Sequence, residues 1–261
     1  MVEHSGGGDP DKLLPMLWPG ADRDDGKPAL GRKPGLTVEA VVTTALRIAD
    51  DTGLDTLSMR RVATALGVGT MTLYTYVPGK AELLDLMIDK ALRERALPLD
   101  DRSRPDDWRR QLELYADRTR TMYRRHRWLR RVSTVHPPLG PGMMDGHEYL
   151  LRALSGLGLT PAQAAAASHA LRVVIDAVAR VEVADEQVER STGQSQDAWW
   201  QARMSFWQTY FDAERYPAIF ATWDSGGFET AGEPEAGNVY RFGLSRLLDG
   251  IETVARENRN A

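Results

Sequence analysis

From Val38 to Leu92 the apolar residues recur three and four positions apart, a spacing that fits amphipathic helices and not half-buried strands, whose period is two. Val38, Val41, Val42, Ala45, Ile48 and Ala49 share one face of a first helix, opened by Thr37 as N-cap and stopped by Gly53. Met59, Val62, Ala63 and Leu66 repeat the spacing between Ser58, a second N-cap, and Gly67. A short segment from Thr70 to Val77 follows, then Pro78-Gly79, then a helix from Lys80 with Leu83, Leu84, Met87, Ile88, Ala91 and Leu92 on one side. Two short helices joined by a glycine-containing turn form the helix-turn-helix plan. Ala63 is small enough for the two helices to cross closely, and Gly67 supplies the positive φ of the turn. With Val62, Leu66, Val68 and Leu73 gluing the pair, the second helix presents Thr70, Met71, Thr72, Thr75 and Tyr76 outward. Small hydroxyls and exposed apolar groups suit base edges and thymine methyls in a major groove. Tyr74, Lys80 and the amide end of the following helix suit phosphate oxygens.

The remainder predicts longer helices and no strand, so the expected architecture is all-α. Pro98 to Pro105 is a charged linker, and Asp106–Arg125 carries Trp108, Leu112, Tyr115 and Met122 at helical spacing. His136 to Gly142 is a break, followed by a helix through Tyr149, Leu150 and Leu154. Thr160-Pro161-Ala162-Gln163 joins a capping box to a proline at the first helical position and opens a helix running to about Arg190. Ala198–Phe211 is an aromatic-rich helix, and Asn238–Arg256 is the last. The expected organisation is an extension over 1–36, a helix-turn-helix domain over 37–95, and an effector-binding and dimerisation domain over 96–261.

Residues 1–36, with five prolines and many glycines, are expected to be flexible apart from the cluster Leu13, Leu14, Met16, Leu17 and Trp18, which is expected to pack on the body. Arg32 and Lys33 make either a plain linker or a basic arm that follows DNA. No cysteine is present, which excludes disulfides and thiolate metal sites. No apolar run reaches the length of a membrane span and no signal peptide is visible, so a cytoplasmic protein is expected. A net charge of −4 argues mildly against a nucleic-acid partner, but the distribution of cations matters more than their sum.

The run Leu36–Leu92 resembles the DNA-binding head of the TetR family through Ala45-Leu46, Gly53-Leu54, Ser58-Met59-Arg60, Val62-Ala63, Leu66-Gly67-Val68, Leu73-Tyr74, Val77, Lys80 and Leu83-Leu84. The body resembles the tetracycline-repressor-like C-terminal domain more loosely, through Phe242-Gly243-Leu244 and Leu247-Leu248-Asp249-Gly250-Ile251-Glu252. The resemblance implies a homodimeric repressor of a double-stranded palindromic operator, released by a small molecule, and no enzyme. It places Ser58 and Arg60 at the start of the second helix near DNA, and Thr70, Met71 and Thr72 on bases. Tyr74, Thr75, Tyr76 and Lys80 then fall on groove and backbone. The tetracycline repressor has a drug-contacting histidine just past its fourth helix, where this chain has Ala96, and its metal-holding histidine has no clear counterpart here. Tetracycline–magnesium is therefore not the expected ligand, and no metal or cofactor is expected.

Two readings compete with a DNA-binding regulator: a helical enzyme, and a helical interaction protein that meets no DNA. Asp224-Ser225-Gly226-Gly227 is similar to a serine nucleophile loop, but it lies between helices and reads as a turn. His147-Glu148 lacks the second histidine of a zinc motif. An effector pocket is expected among Trp108, Met122, Tyr123, Met144, His169, Arg172, Trp200 and Trp207, whose aromatics could equally be core. The expected dimer seam is Ala167, Leu171, Val174 and Val178 on the long helix with Leu244, Leu247, Ile251 and Val254 on the last.

Overall fold

The computed structural model describes residues 3–20, 36–228 and 235–260. Each expected helix of the head forms. Helix α2 (Val38–Thr52) starts on the Thr37 hydroxyl, which accepts the Ala40 N–H, and α3 (Met59–Ala65) starts on Ser58, which accepts the Arg61 N–H. Such caps stabilise a helix by about 1 kcal/mol each. Gly67, at φ 69°, turns the chain into α4 (Thr70–Tyr74), and α5 (Lys80–Arg93) leads into the body. Val41, Ala45, Val62, Leu73, Val77, Leu83 and Met87 are wholly buried together.

The body is built from α6 (Trp108–Arg125), α7 (Pro141–Leu154), α8 (Pro161–Thr192) and α12 (Glu235–Asn260). Both halves of the Thr160–Gln163 capping box are made, and Gly193 closes α8 in the left-handed conformation. Leu112, Tyr115, Tyr149, Leu150, Leu154, Leu171 and Ile175 form the centre of a second core, and the Arg120 guanidinium grips the buried Glu182 to tie α6 to α8. The first core does not stop at residue 95: Met122, Tyr123, Trp128, Leu129, Val132, Ala179 and Val183 belong to it, so head and body share apolar packing.

Four expectations need correction. Residues 3–18 form a seated strap: the packing of the Leu13–Trp18 cluster was expected, with Leu13 and Leu17 of α1 (Pro10–Leu17) buried in the first core, but the residues before it are not a flexible tail, since they include strand β1 (Glu3–His4). Short strands do occur, since β1 pairs in parallel with β2 (Val132–Ser133), Glu3 opposite Val132. The helix expected over Ala198–Phe211 is broken into α9 (Gln196–Gln201) and α10 (Met204–Thr209), with α11 (Pro217–Asp224) after them. Lastly, Leu171, Val178, Leu244 and Ile251 of the expected dimer seam are buried within one chain, where α8 packs on α12; Ala167 and Leu247 pack partly on the same core, and Val174 and Val254 are half-buried. The three-four periodicity there marked an intrachain interface. Among the described residues no helix is long and apolar enough to cross a membrane, and no group of His, Asp and Glu could hold a metal.

Candidate functional site

The outward face of the helix-turn-helix follows from which side of α4 the core consumes. Leu73 is fully buried, so Met71, Thr72, Tyr74 and Thr75 are exposed and Thr70 is half-exposed at the start of the helix. Met71 is 78% exposed. The Thr75 hydroxyl donates to the Thr72 carbonyl. Arg60 lies exposed in the first turn of α3, and Ser58 spends its hydroxyl on the cap. Tyr76 departs from the expectation: it is half-buried against the first core, because one turn on from Leu73 the chain bends inward to Val77. Lys80 is the first residue of α5, and its ammonium donates to Glu3 Oε1 at 2.8 Å. Arg32 and Lys33 lie outside the described residues.

The junction behind this face is ionic. His126, just past α6, is 1% exposed, and its two ring nitrogens lie 2.9 Å from Asp50 on α2 and 2.9 Å from Glu94 at the end of α5. Both partners are acceptors, so the ring donates twice and is an imidazolium. Burial on its own would lower the pKa, but the two carboxylates outweigh it and raise it above the ordinary histidine value. Trp128 Nε1 donates to the same Asp50 oxygen.

A narrow cavity of about 50 Å³ lies between α5, α6, α7 and α8. Met122, Tyr123 and Arg172 line it as expected, joined by Ile88, Leu92 and Arg95 of α5, Tyr115, Met143, His147 and Asp176, with Thr134 and Pro137 of the loop before α7. Arg95 is buried and satisfied, donating to the Tyr115 hydroxyl and to the Leu92 and Gly142 carbonyls. Arg172 donates to His169 Nδ1 at 3.0 Å, while its Nε is buried without a partner. Burial, with Arg172 and Arg95 close by, lowers the His147 pKa and keeps that ring neutral at pH 7; burial raises Asp176 against the pull of Arg95, Arg180 and Arg172.

The other expected pocket residues lie elsewhere. Trp108 packs on the second core, Met144 points away one position from the Met143 that does line the cavity, and His169 is exposed. Trp200 and Trp207 sit in the α9–α11 arm, packed against other arm aromatics and not among the residues that line the cavity. The missed residues carried a readable signal: Asp176 follows Arg172 by four on an otherwise apolar helix face, and Arg95 closes the helix that joins head to body.

A capped helix-turn-helix packed continuously on a helical body with an internal cavity defines a class, the one-component DNA-binding regulators. The model for bacterial regulatory proteins of the tetR family matches residues 41–87, and that for the tetracyclin repressor-like C-terminal domain matches residues 101–255. The HTH-type transcriptional repressor DrrR1 of Streptomyces coeruleorubidus is 39% identical over 259 residues, 99% of this chain and 91% of its own. Apo ActR of Streptomyces coelicolor superposes with a TM-score of 0.68 at 29% identity, covering 87% of this chain and 99% of its own. ActR in complex with actinorhodin matches equally, with a TM-score of 0.68 at 29% identity over 85% of this chain and 99% of that one. The chain belongs to the TetR family. It is a ligand-responsive DNA-binding transcriptional repressor and not an enzyme, with the family's all-α head and body.

Proposed function

We propose that the chain acts in the cytoplasm as a homodimer, laying α4 of each subunit into successive major grooves of a palindromic operator and leaving it when a planar, largely apolar molecule with one acceptor or anionic group occupies the cavity. The observation that carries this reading is the double use of α5: Lys80 opens it beside the DNA face, while Ile88, Leu92 and, just past its end, Arg95 wall the cavity. An occupant that moves α5 moves the head. Half-sites lie about one duplex turn apart, ~34–36 Å, so a shift of a few ångströms in one head prevents both from docking.

The ligand class follows from the lining. Apolar walls with the unpartnered Arg172 Nε, the neutral His147 and the Arg95 guanidinium suit an aromatic acid or an acidic phenol. Small-molecule sites typically span ~300–1,000 Å³. The cavity is far smaller, so the flexible Met122 and Met143 must yield on entry. That ActR is seen with actinorhodin supports a bulky aromatic guest.

The subunits meet through the face of α8 and α12 turned away from their shared core, where Val173, Val181, Val239 and Phe242 are exposed, together with the aromatic arm. Operator binding is tested by gel shift on promoter DNA over a salt series, where affinity should fall steeply as salt rises. A screen of aromatic acids for thermal stabilisation, repeated on Arg172→Ala and His147→Ala, tests the cavity. A strong inducer must prefer the free protein about a hundredfold, roughly 2.7 kcal/mol. Hits that stabilise both variants as well as the parent place the ligand elsewhere.

A further inference from the structure

The strap is fastened at both ends of its length. Against α5, the Gly6 and Gly8 N–H groups donate to the two oxygens of Asp85 at 2.7 and 3.1 Å, the Asp9 N–H donates to Glu82, and Leu13 and Leu17 enter the core. Asp85 is fully buried, and burial raises its pKa against those two amides. Against the body, the Ser5 N–H and hydroxyl reach the Ser133 carbonyl, the hydroxyl also reaches that of His136, and Trp18 Nε1 donates to Leu139. Gly6 sits at φ +71°, and a Cβ there would lie 2.4 Å from the His136 carbonyl oxygen, so the close approach needs glycine.

This fixed backbone sets the position of Glu3. Its pairing opposite Val132 brings the carboxylate onto Lys80 Nζ at 2.8 Å, at the amide end of α5 where no side chain caps the helix. We propose that the strap is a built-in competitor for the operator: Glu3 occupies the Lys80 ammonium in the free protein and must leave it before a phosphate can bind. The inference rests on reading Lys80 as a phosphate contact. Lys80 and Glu3 are both about two-fifths exposed (42% and 37%), so their pair is weak and yields to DNA, setting affinity rather than blocking it.

The test compares full-length Glu3→Gln, Lys80→Ala, the double variant and Asp11→Asn on a promoter fragment that the parent retains. Asp11 is an exposed acid on the same strap, so Asp11→Asn changes the net charge equally without facing Lys80. Glu3→Gln should bind two- to fivefold more tightly at low salt, and the gain should shrink as salt screens the pair. It should vanish in the Lys80→Ala background. If Lys80→Ala binds like the parent, the phosphate reading of Lys80 falls and the proposal with it. If Lys80→Ala weakens binding but Glu3→Gln changes nothing, or no more than Asp11→Asn does, the strap proposal alone is overturned.

Discussion

The head and the α9–α11 arm are both rich in large apolar side chains at helical spacing, and the chain treats them oppositely. In α2–α5 most of the periodic positions are buried, with Leu73, Val77 and Leu83 at the centre and Val38, Leu66 and Leu92 partly covered at the edge. In the arm Trp199, Trp200, Phe206, Phe220 and Trp223 meet other arm rings edge-on or tilted yet all remain exposed, and Tyr210 is 76% exposed. Periodicity states that a face wants covering; it does not state by what. The head's cover is the same chain. The arm's aromatics are exposed side by side, the kind of contiguous apolar surface through which proteins associate.

The sharpest way to test that contrast is to cut one large apolar residue in each region, buried in the head and exposed in the arm. Leu73→Ala should lower stability by about 2–5 kcal/mol, because the cavity adds to the lost transfer energy at a site packed from both helices. Phe220→Ala, in the arm, should cost a dilute monomer far less. Urea unfolding of both variants decides, and equal losses would mean the arm is packed as the head is.

The junction supplies the next effect, and it has a sign. The folded pKa of His126 is raised, so its contribution to stability is complete below the unfolded value, near 6.5, and is lost as pH rises through the folded value. Stability should therefore fall on going from pH 6 towards alkaline pH, and His126→Gln should flatten that slope while costing about 1–3 kcal/mol at pH 6, because the Asp50 and Glu94 carboxylates lose their shared charged donor. Denaturation midpoints across the range test this; a parental slope retained in the variant would assign it to another group.

The same contrast explains what could be read in advance. Head helices and caps were legible because Thr37, Ser58, Gly67 and the apolar stripes act within a few residues of one another. The strap was not: Gly6, Gly7 and Gly8 read as a loose tail, whereas Gly6 and Gly8 are demanded by a carboxylate 77–79 residues away and by the loop near His136. The cavity was legible only in part for a similar reason. Met122, Tyr123 and Arg172 lie on helices whose inner faces are visible in sequence, but Arg95, His147 and Asp176 converge from three elements by tertiary packing. Aromatic richness pointed to Trp200 and Trp207, and composition carries no information about which side of the molecule a segment joins.

Two charges placed in the arm should separate association from folding. Phe220→Asp with Trp223→Asp should leave the helices of the head and body and their unfolding midpoint nearly unchanged, since both rings are partly exposed and touch only other arm aromatics among the ring contacts. Sedimentation should shift from dimer to monomer, and operator affinity should drop at least tenfold, because a lone head loses the second half-site. A double variant that stays dimeric would transfer the interface to the outer face of α8 and α12 and remove the arm from it.

The smallest expected change in stability belongs to the residue that breaks the pattern of its own region. Met71, 78% exposed, is the large side chain of α4 that the head leaves furthest in solvent, Leu73 having turned the other way. Met71→Ala should thus alter stability by no more than about 0.5 kcal/mol, as surface substitutions do. Its cost should surface only on DNA. An exposed thioether at the N-terminal end of a recognition helix suits a thymine methyl, and a lost base contact is worth roughly 1–3 kcal/mol at one position of the site. Selection of operators from a randomised pool by the parent and by Met71→Ala should therefore relax one base pair and leave the others unchanged. A uniform loss across all sequences would make Met71 a general packing contact with the duplex, and no loss at all would move the reading face of α4 onto Thr70, Thr72 and Thr75.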